Sequence, residues 1–487
     1  MPLVIGIDLG TQSAKAVVCD ERLAVLGAHH EPIATRFPQP GWAEQDPGEW
    51  LVVLRKAIAL ALHAAQARGE DIAALALAGQ LDGCVAVDTR GHPAHAPLIW
   101  QDRRATAQLA AIDPARVHAI TGQVADPSHM AAKIRWLRDH GVRAARYHQP
   151  VSFLVEHLTG AAVLDPSHAS TTMLYDLAAG TWSSELLAAF AIDPGELPEI
   201  RPTCAIAGTL RAPVASLPAG TPVAVGTGDD FATPLGAGVA VPGPIVVAIG
   251  TAEVVGALAA SPVLDVPAAR GASDPWRALA EPMVETHAYP TGAWFVENPG
   301  WLSGGAIRWA MQLLNVASEA ELDALAASAP AGAGGVTFVP ALAGAMTPVW
   351  RPDALGVLDG LTAAHDRAHV ARAILEGLAF ACRDVVGRIS ALGLPAREVL
   401  VLGGGSRSAT WAQLRADALG LPHQVAARAD TCAIGAAMIA AVAAGLVPDL
   451  AAACALAPPP AATYQPRGSL ADAYDRYRGV VARRLQV

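Results

Sequence analysis

Near the amino terminus the apolar residues come in three short runs, Leu3 to Asp8, Lys15 to Cys19 and Ala24 to His30, broken by Gly10-Thr11 and by Asp20-Glu21-Arg22. Runs of that length between turn residues predict a β-meander. The period then changes. Asp46-Pro-Gly-Glu49 opens a segment with helical apolar spacing that continues to about Ala67, with Asp46 as N-cap, Pro47 at the first helical position and Glu49 at the third. Ile72 to Ala78 is uninterrupted and apolar, a buried strand ending in Gly79-Gln-Leu-Asp-Gly83. A further strand at Val223 runs into Gly226 and Gly228 and ends on two adjacent carboxylates, Asp229 and Asp230.

The same order of elements returns after Val241-Pro-Gly-Pro244, whose two prolines and glycine mark a linker. Ile245 to Ile249 is a strand stopped by Gly250-Thr251, Glu253 to Ala259 continues as a second, and Trp294 to Val296 lies in a third. His369 to about Leu392 carries Val370, Ile374, Leu378, Val385 and Ile389 on one helical stripe. Glu398 to Leu402 is a strand entering Gly403-Gly-Gly-Ser-Arg-Ser408, with a helix from about Thr410 to Leu419. Two similar α/β halves follow, with loops facing each other across a cleft, the usual place for a ligand.

A chain of 487 residues that is 53% hydrophobic has material for two or three domains. The formal charge of -10, with Lys15, Lys56 and Lys133 the only lysines, argues against a surface that neutralises many phosphates of a nucleic acid. Cys19, Cys84, Cys204, Cys382, Cys432 and Cys454 show no CxxC spacing, so neither a disulfide framework nor a zinc site is indicated, and a reducing cytoplasm fits. No basic region precedes the first apolar run, unlike a secretory signal. The longest uncharged apolar run, Ala433 to Val447, is short for a bilayer span of roughly 20 residues and reads as a buried helix.

Four glycine-punctuated turns follow strands: Asp8 to Ser13, Gly226 to Asp230, Ile249 to Thr251 and Gly403 to Ser406. Such turns let backbone amides approach phosphate oxygens, with Thr11 and Thr251 as added hydroxyl donors. A carboxylate at the end of a strand can serve as a general base. Asp229 and Asp230 read equally well as turn residues or helix caps. No lysine stands in a P-loop setting, because Ala14, Arg55 and Ala132 precede the three lysines, and Ser408 stands where a dinucleotide fingerprint needs its third glycine. Trp100-Gln-Asp-Arg-Arg104 offers an aromatic, an acid and two arginines for a polar pocket or, as readily, a surface salt-bridge cluster. On the helix from His129 to Leu137, Trp136 is expected in the core with Lys133 snorkelling beside it. The 15 histidines show no metal-ligand spacing.

Gly6-Ile-Asp-Leu-Gly-Thr-Gln-Ser13, Trp42-Ala-Glu-Gln-Asp-Pro47, Leu402-Gly-Gly-Gly-Ser-Arg-Ser408 and the spaced set Gly356, Leu358, Gly360, Leu361, His369, Val370, Ala373, Ile374, Leu375 and Glu376 resemble the motifs of the FGGY carbohydrate kinase family. The resemblance is strongest to its xylulokinases and extends along nearly the whole chain. It implies an α/β fold of two ribonuclease-H-like domains of the actin and hexokinase superfamily flanking a cleft, with residues 1–241 binding sugar and 242–487 binding ATP. It implies Asp229 as general base, Asp8 and Asp229 holding Mg2+, and Gly10, Thr11, Gln12, Gly250 and Thr251 at the phosphates. Gly403, Gly404, Gly405 and Ser406 would border the adenosine, and Gln80, Leu81, Asp82, Trp100, Asp102, Arg103 and Asp230 would meet the sugar.

The expected reaction is transfer of the ATP γ-phosphate to a hydroxyl of D-xylulose, a related pentulose, or another small ketose or polyol. A sugar-binding regulator that keeps the fold without transfer is the rival. The implied partners are sugar and ATP, with no nucleic acid or membrane, and a homodimer as the assembly to test. The departures fall at acceptor positions. Leu81-Asp82 stands where xylulokinases have Met-His, Asp230 stands where they have Asn, and Phe338 to Pro348 lacks the Glu-Arg pair common before Thr-Pro. A carboxylate can accept hydrogen bonds from vicinal hydroxyls but cannot donate to a carbonyl unless protonated, so the acceptor is expected to carry its carbonyl away from Asp82.

Overall fold

The computed structural model describes residues 2–266 and 281–485, and of 406 and 407 the backbone alone. The meander forms as the apolar spacing predicts. Strands Leu3–Leu9, Ser13–Cys19 and Val25–Pro32 pair antiparallel in sequence order, and Leu3–Leu9 pairs parallel with Ile72–Gly79. Ile72–Gly79 in turn pairs parallel with Pro222–Ala224 and Thr227–Gly228. The helix Pro47–Ala64 starts where Asp46 accepts a hydrogen bond from the Gly48 amide. Glu49 turns away from that cap and accepts from the Ala34 amide at 3.3 Å, so it fastens the end of the meander to the helix.

The second sheet repeats the layout. Ile245–Ile249 pairs antiparallel with Ala252–Ala259, which pairs antiparallel with Trp294–Leu302, while on the other side Ile245–Ile249 pairs parallel with Val399–Leu402 and then His423–Val425 follows in parallel. Trp294–Leu302 runs to nine residues, six beyond the apolar start that marks it, and Glu285–Ala288 adds an edge strand that apolar spacing does not signal. With the added edge strands Ile206–Thr209, Glu285–Ala288 and Ala462–Tyr464 set aside, the strands of each sheet lie in the order third, second, first, fourth, fifth, the ribonuclease-H-like layout expected.

Each sheet has one outer face and one inner face. Trp50, Leu54 and Ile58 cover the outer face of the first sheet, and Ile374, Leu378, Val385 and Ile389 of the helix Arg367–Ala391 cover that of the second. The inner faces share one core. Val4, Ala74 and Ala76 of the first sheet and Val246, Leu400 and Leu402 of the second enclose Phe231, Leu235, Ala433, Ala437 and Met438. These last residues belong to the helices Asp229–Gly236 and Thr431–Ala443, so the second helix, apolar all round, is buried between the sheets. Among the described residues no helix is long and apolar enough to cross a membrane.

Small residues let these layers approach. A Cβ on Gly6 would stand 1.9 Å from the Ala433 carbonyl oxygen and 2.3 Å from the Ala437 amide nitrogen, both backbone atoms that cannot rotate away. Gly6→Ala is therefore expected to destabilise the fold by about 3 kcal/mol, the upper part of the usual range for overpacking. The check is a lower urea midpoint, and an unchanged midpoint would show that the helix can shift.

Candidate active site

Parallel pairing brings the site together. Asp8 lies opposite Ala78, Ala78 lies opposite Thr227, and Gly79 opposite Gly228, so three strands deliver their carboxyl ends to one edge. Gly226 adopts φ +81°, and a Cβ there would sit 2.1 Å from the Leu77 carbonyl oxygen, which explains the glycine at the turn. Thr227 donates to buried Asp165 at 2.7 Å, and Thr203 donates to the same oxygen at 2.8 Å. The turn is thereby pinned, and Asp229 and Asp230 begin the helix Asp229–Gly236 with Gly228 as its cap.

The carboxylates are in conflict there. Burial, the charge of Asp230 and the charge of Asp8 hold the Asp229 pKa well above that of an ordinary aspartate, against a smaller opposing effect of the helix-start amides. Burial raises Asp230 to about 6, with His287 lowering it and Asp82 raising it. Asp8 is raised by burial, while Lys15 and a hydrogen bond from the Cys432 thiol oppose the shift. Lys15 itself pairs with Asp430 at 2.6 Å. Acceptor-only oxygens held close against their own repulsion suit a divalent cation, so Asp8 and Asp229 fit the expected Mg2+ ligands.

Two phosphate-type turns meet across the cleft. Gln12 reaches from the first to the Thr251 hydroxyl of the second at 3.4 Å. Thr251 also accepts from Arg308 at 3.3 Å, a cation that sequence reading missed, and its carbonyl accepts from the Ser303 and Gly305 amides. Thr11 accepts from the indole of Trp100 at 2.8 Å, which places that exposed ring at the cleft mouth. Gly10 closes its hairpin onto the Ser13 carbonyl at 3.0 Å, and Gly250 closes onto that of Ala252 at 2.9 Å. Gly403 has φ +85° with Ile249 directly beneath it, Gly404 begins a short helical turn, and a Cβ on Gly405 would strike Ile249. The Ser406 side chain falls outside the described residues.

The loop from Gly79 to Gly83 is also locked. Gln80 is buried and donates to Gln45 at 2.8 Å, and Gln45 donates on to the Thr11 carbonyl at 2.7 Å. Leu81 fills the space under Gly228. Asp82 has φ +57°, a conformation that aspartate tolerates better than most residues, and three contacts hold it. Its amide donates to Gln149 at 3.1 Å, its carbonyl accepts from Lys133 at 2.8 Å, and its carboxylate lies 3.2 Å from His129.

Two expectations change at this point. Lys133 does not snorkel: it is wholly buried, and its ammonium bridges the Asp82 and Ile99 carbonyls at 2.8 Å each, with burial lowering its pKa to about 8. Trp136 is in the core as expected, stacked on His140. Asp102 is fully buried and engaged by Arg104 and by the Ala43 amide at 2.6 Å, so its oxygens are spent within the protein and it positions the loop from beneath. Arg104 continues to Glu44 and lies over Trp42. Arg103 pairs through two bonds with Asp126, at 3.0 and 2.7 Å, on the wall beside it.

A doubled ribonuclease-H-like fold, with glycine-hydroxyl turns from the two halves joined by Gln12 and Thr251, is that of the actin and hexokinase superfamily. The chain belongs to the FGGY family of carbohydrate kinases: residues 3–236 match its N-terminal domain and residues 245–444 its C-terminal domain. It is 34% identical to a glycerol kinase of Alkalilimnicola ehrlichii over 92% of this chain and 91% of that one. It is 31% identical to a xylulose kinase of Klebsiella pneumoniae over 91% and 90%. The crystal structure of a xylulose kinase from Rhodospirillum rubrum superposes with a TM-score of 0.85 at 28% identity, covering 99% of this chain and 98% of that one. Kinases of this family use ATP, typically with Mg2+.

Proposed function

We propose that this protein transfers the γ-phosphate of ATP to a hydroxyl of a small ketose or polyol, with Asp229 as the general base and D-xylulose or a related pentulose as the first acceptor to test. The observation that carries the reading is the placement of Asp229, the first residue of a helix at the meeting point of three strand ends, where burial and the neighbouring carboxylates Asp230 and Asp8 raise its affinity for a proton. Relatives named for glycerol and for xylulose support a neutral polyhydroxyl acceptor between a triol and a pentulose.

In this reading the acceptor hydroxyl gives its proton to the Asp229 carboxylate as its oxygen attacks the γ-phosphorus, and ADP leaves. Residues 1–241 hold the acceptor, through Gln80, Asp82, Asp230 and the Trp100 face, and residues 242–487 hold the nucleotide. Gly10, Thr11, Gly250 and Thr251 line the phosphate path, with Arg308 beside it, while Gly403 to Gly405 border the nucleoside. Asp8 and Asp229 would hold Mg2+, which when bound neutralises phosphate charge. Closure of the cleft excludes water and limits ATP hydrolysis without acceptor.

A coupled ADP assay over pentuloses, tetruloses, glycerol and longer polyols tests the proposal, with ATP alone as control. Acceptor-dependent ADP release is expected. Acceptor binding without any ADP release would overturn it in favour of a sugar-binding regulator. Asp230→Asn should change the acceptor ranking, because an amide donates where the carboxylate can only accept. It should also extend the acid limb of kcat/KM to lower pH. The Asp230 charge helps to raise Asp229, so removing it lets Asp229 ionise, and act as a base, at lower pH. An unchanged ranking and an unmoved limb in the pH profile would refute the assigned role of Asp230.

A further inference from the structure

The edge strand Glu285–Ala288 and its neighbour Trp294–Leu302 belong to the second sheet, yet their polar side chains face the acceptor loop of the first domain. Glu285 and Glu297 stand directly opposite each other in the antiparallel register, a like-charge pairing that is unfavourable unless something bridges it. His287, two residues from Glu285 and on the same face, supplies the bridge: its Nε2 is 3.7 Å from Glu285 and 3.4 Å from Glu297. On the other side His129 Nε2 is 3.5 Å from Glu285, and His129 Nδ1 is 3.2 Å from Asp82. Carboxylates and imidazoles thus alternate from Asp82 through His129, Glu285 and His287 to Glu297, crossing from one domain to the other.

The crossing is anchored by backbone. The Val124 amide donates to Glu285 at 2.7 Å, the Thr286 amide to the Gly122 carbonyl at 3.1 Å, and the Ala288 amide to the Ser170 hydroxyl at 3.1 Å. His129, Glu285, His287 and Glu297 are all buried, and the Glu297 Oε2 atom has no hydrogen-bond partner among the described residues. Burying so many ionisable groups costs stability that apolar side chains of similar volume would not. Burial would lower the His129 imidazolium, but Asp82 and Glu285 outweigh it and hold its pKa well above the ordinary value. The array therefore ends on Asp82, one of the two carboxylates that depart from the xylulokinase pattern.

We propose that Glu285, His287 and Glu297 are specificity-determining positioning residues, by which the nucleotide-side domain orients Asp82 through His129 and so selects the acceptor. The inference rests on the kinase reading. Selection then depends on the closed arrangement of the domains, since Asp82 and His129 come from the first and Glu285, His287 and Glu297 from the second. The carboxylates of Asp82, Glu285 and Glu297 gather along this array, so it favours the hydroxyl donors of a neutral polyol over the carboxylate of an aldonate or uronate.

The test uses the full-length protein and its Glu285→Gln and His287→Asn variants, with Glu297→Gln as a third should either fail to fold. Two readouts are taken: kcat/KM over the acceptor panel with sugar acids included, and acceptor binding by calorimetry without ATP. We expect KM for the preferred acceptor to rise about 10- to 100-fold, as when outer partners of a site are removed. The acceptor ranking should change in both readouts, while KM for ATP stays within about twofold. Loss of kcat/KM by one common factor for all acceptors, with the ranking intact, would overturn the proposal and leave a structural role. So would binding of a sugar acid as tight as that of the matching polyol. If the wild type binds acceptors and releases no ADP, the kinase reading fails, and the calorimetric ranking still decides this inference.

Discussion

Asp229→Asn is expected to lower kcat by about a thousandfold, the middle of the range for removal of a positioned general base, while KM for the acceptor changes little and the folded protein becomes more stable at neutral pH. The second half of the outcome follows from linkage. A carboxylate whose folded-state pKa is raised costs nothing below its unfolded-state value, and its cost is fully present once the pH exceeds the folded-state value. Asp229 is raised by burial and by Asp230 and Asp8, so replacing it with a neutral amide of the same shape removes that cost. An aspartate serving only as a turn or helix-start residue would leave stability nearly unchanged, since asparagine serves such a position about as well as aspartate. Parallel measurements of ADP release and urea unfolding separate the two roles. A kcat within about tenfold of wild type would defeat the assignment to a general base.

Arg415→Met should produce the largest loss of stability, about 3–5 kcal/mol, the cost of leaving one member of a buried ion pair without its partner. Glu253 is wholly buried two residues beyond the Thr251 turn, and Arg415 is buried on the helix Ala409–Leu419 that follows the Gly403 loop. Two bonds join them, one of 3.0 Å from Arg415 Nη1, and Ser303 donates to the same carboxylate at 2.7 Å. The pair ties the Thr251 turn to the helix after the Gly403 loop, so on the proposed nucleotide site KM for ATP should rise as the urea midpoint falls. The double variant Glu253→Gln with Arg415→Met should recover most of the stability, because no charge is then left buried alone. A double variant no more stable than Arg415→Met would mean that packing of the arginine stem, rather than its charge, holds the site.

Local features of this chain were legible in its residues. The Asp46 cap, the strand spacing of Leu3 to His30, the glycine at 226 and the apolar run from 433 each act within a few positions, and each forms the element it predicts. The family motifs were likewise readable, because backbone approach to a phosphate demands glycine and small hydroxyl residues in sequence. Lys133 and Asp102 show where that kind of reading fails. A lysine beside a helical tryptophan has the pattern of a snorkelling side chain, and only the arrival of the Asp82 and Ile99 carbonyls makes it a buried clamp. Asp102 has the pattern of a pocket acid until Arg104 and the Ala43 amide claim its oxygens.

By itself the sequence determined the doubled α/β layout, the glycine turns, and a carboxylate at the end of a strand, because each depends on propensities and spacing over a few residues. Tertiary structure alone decided what those carboxylates experience. Asp82, His129, Asp230, Glu285, His287 and Glu297 are spread over more than 200 positions and meet only when the two sheets close on their shared helices. The pKa shifts of His129, Asp230, Glu285 and Glu297 come from burial and from charges brought in by distant strands, and electrostatic environment has no signature in local spacing.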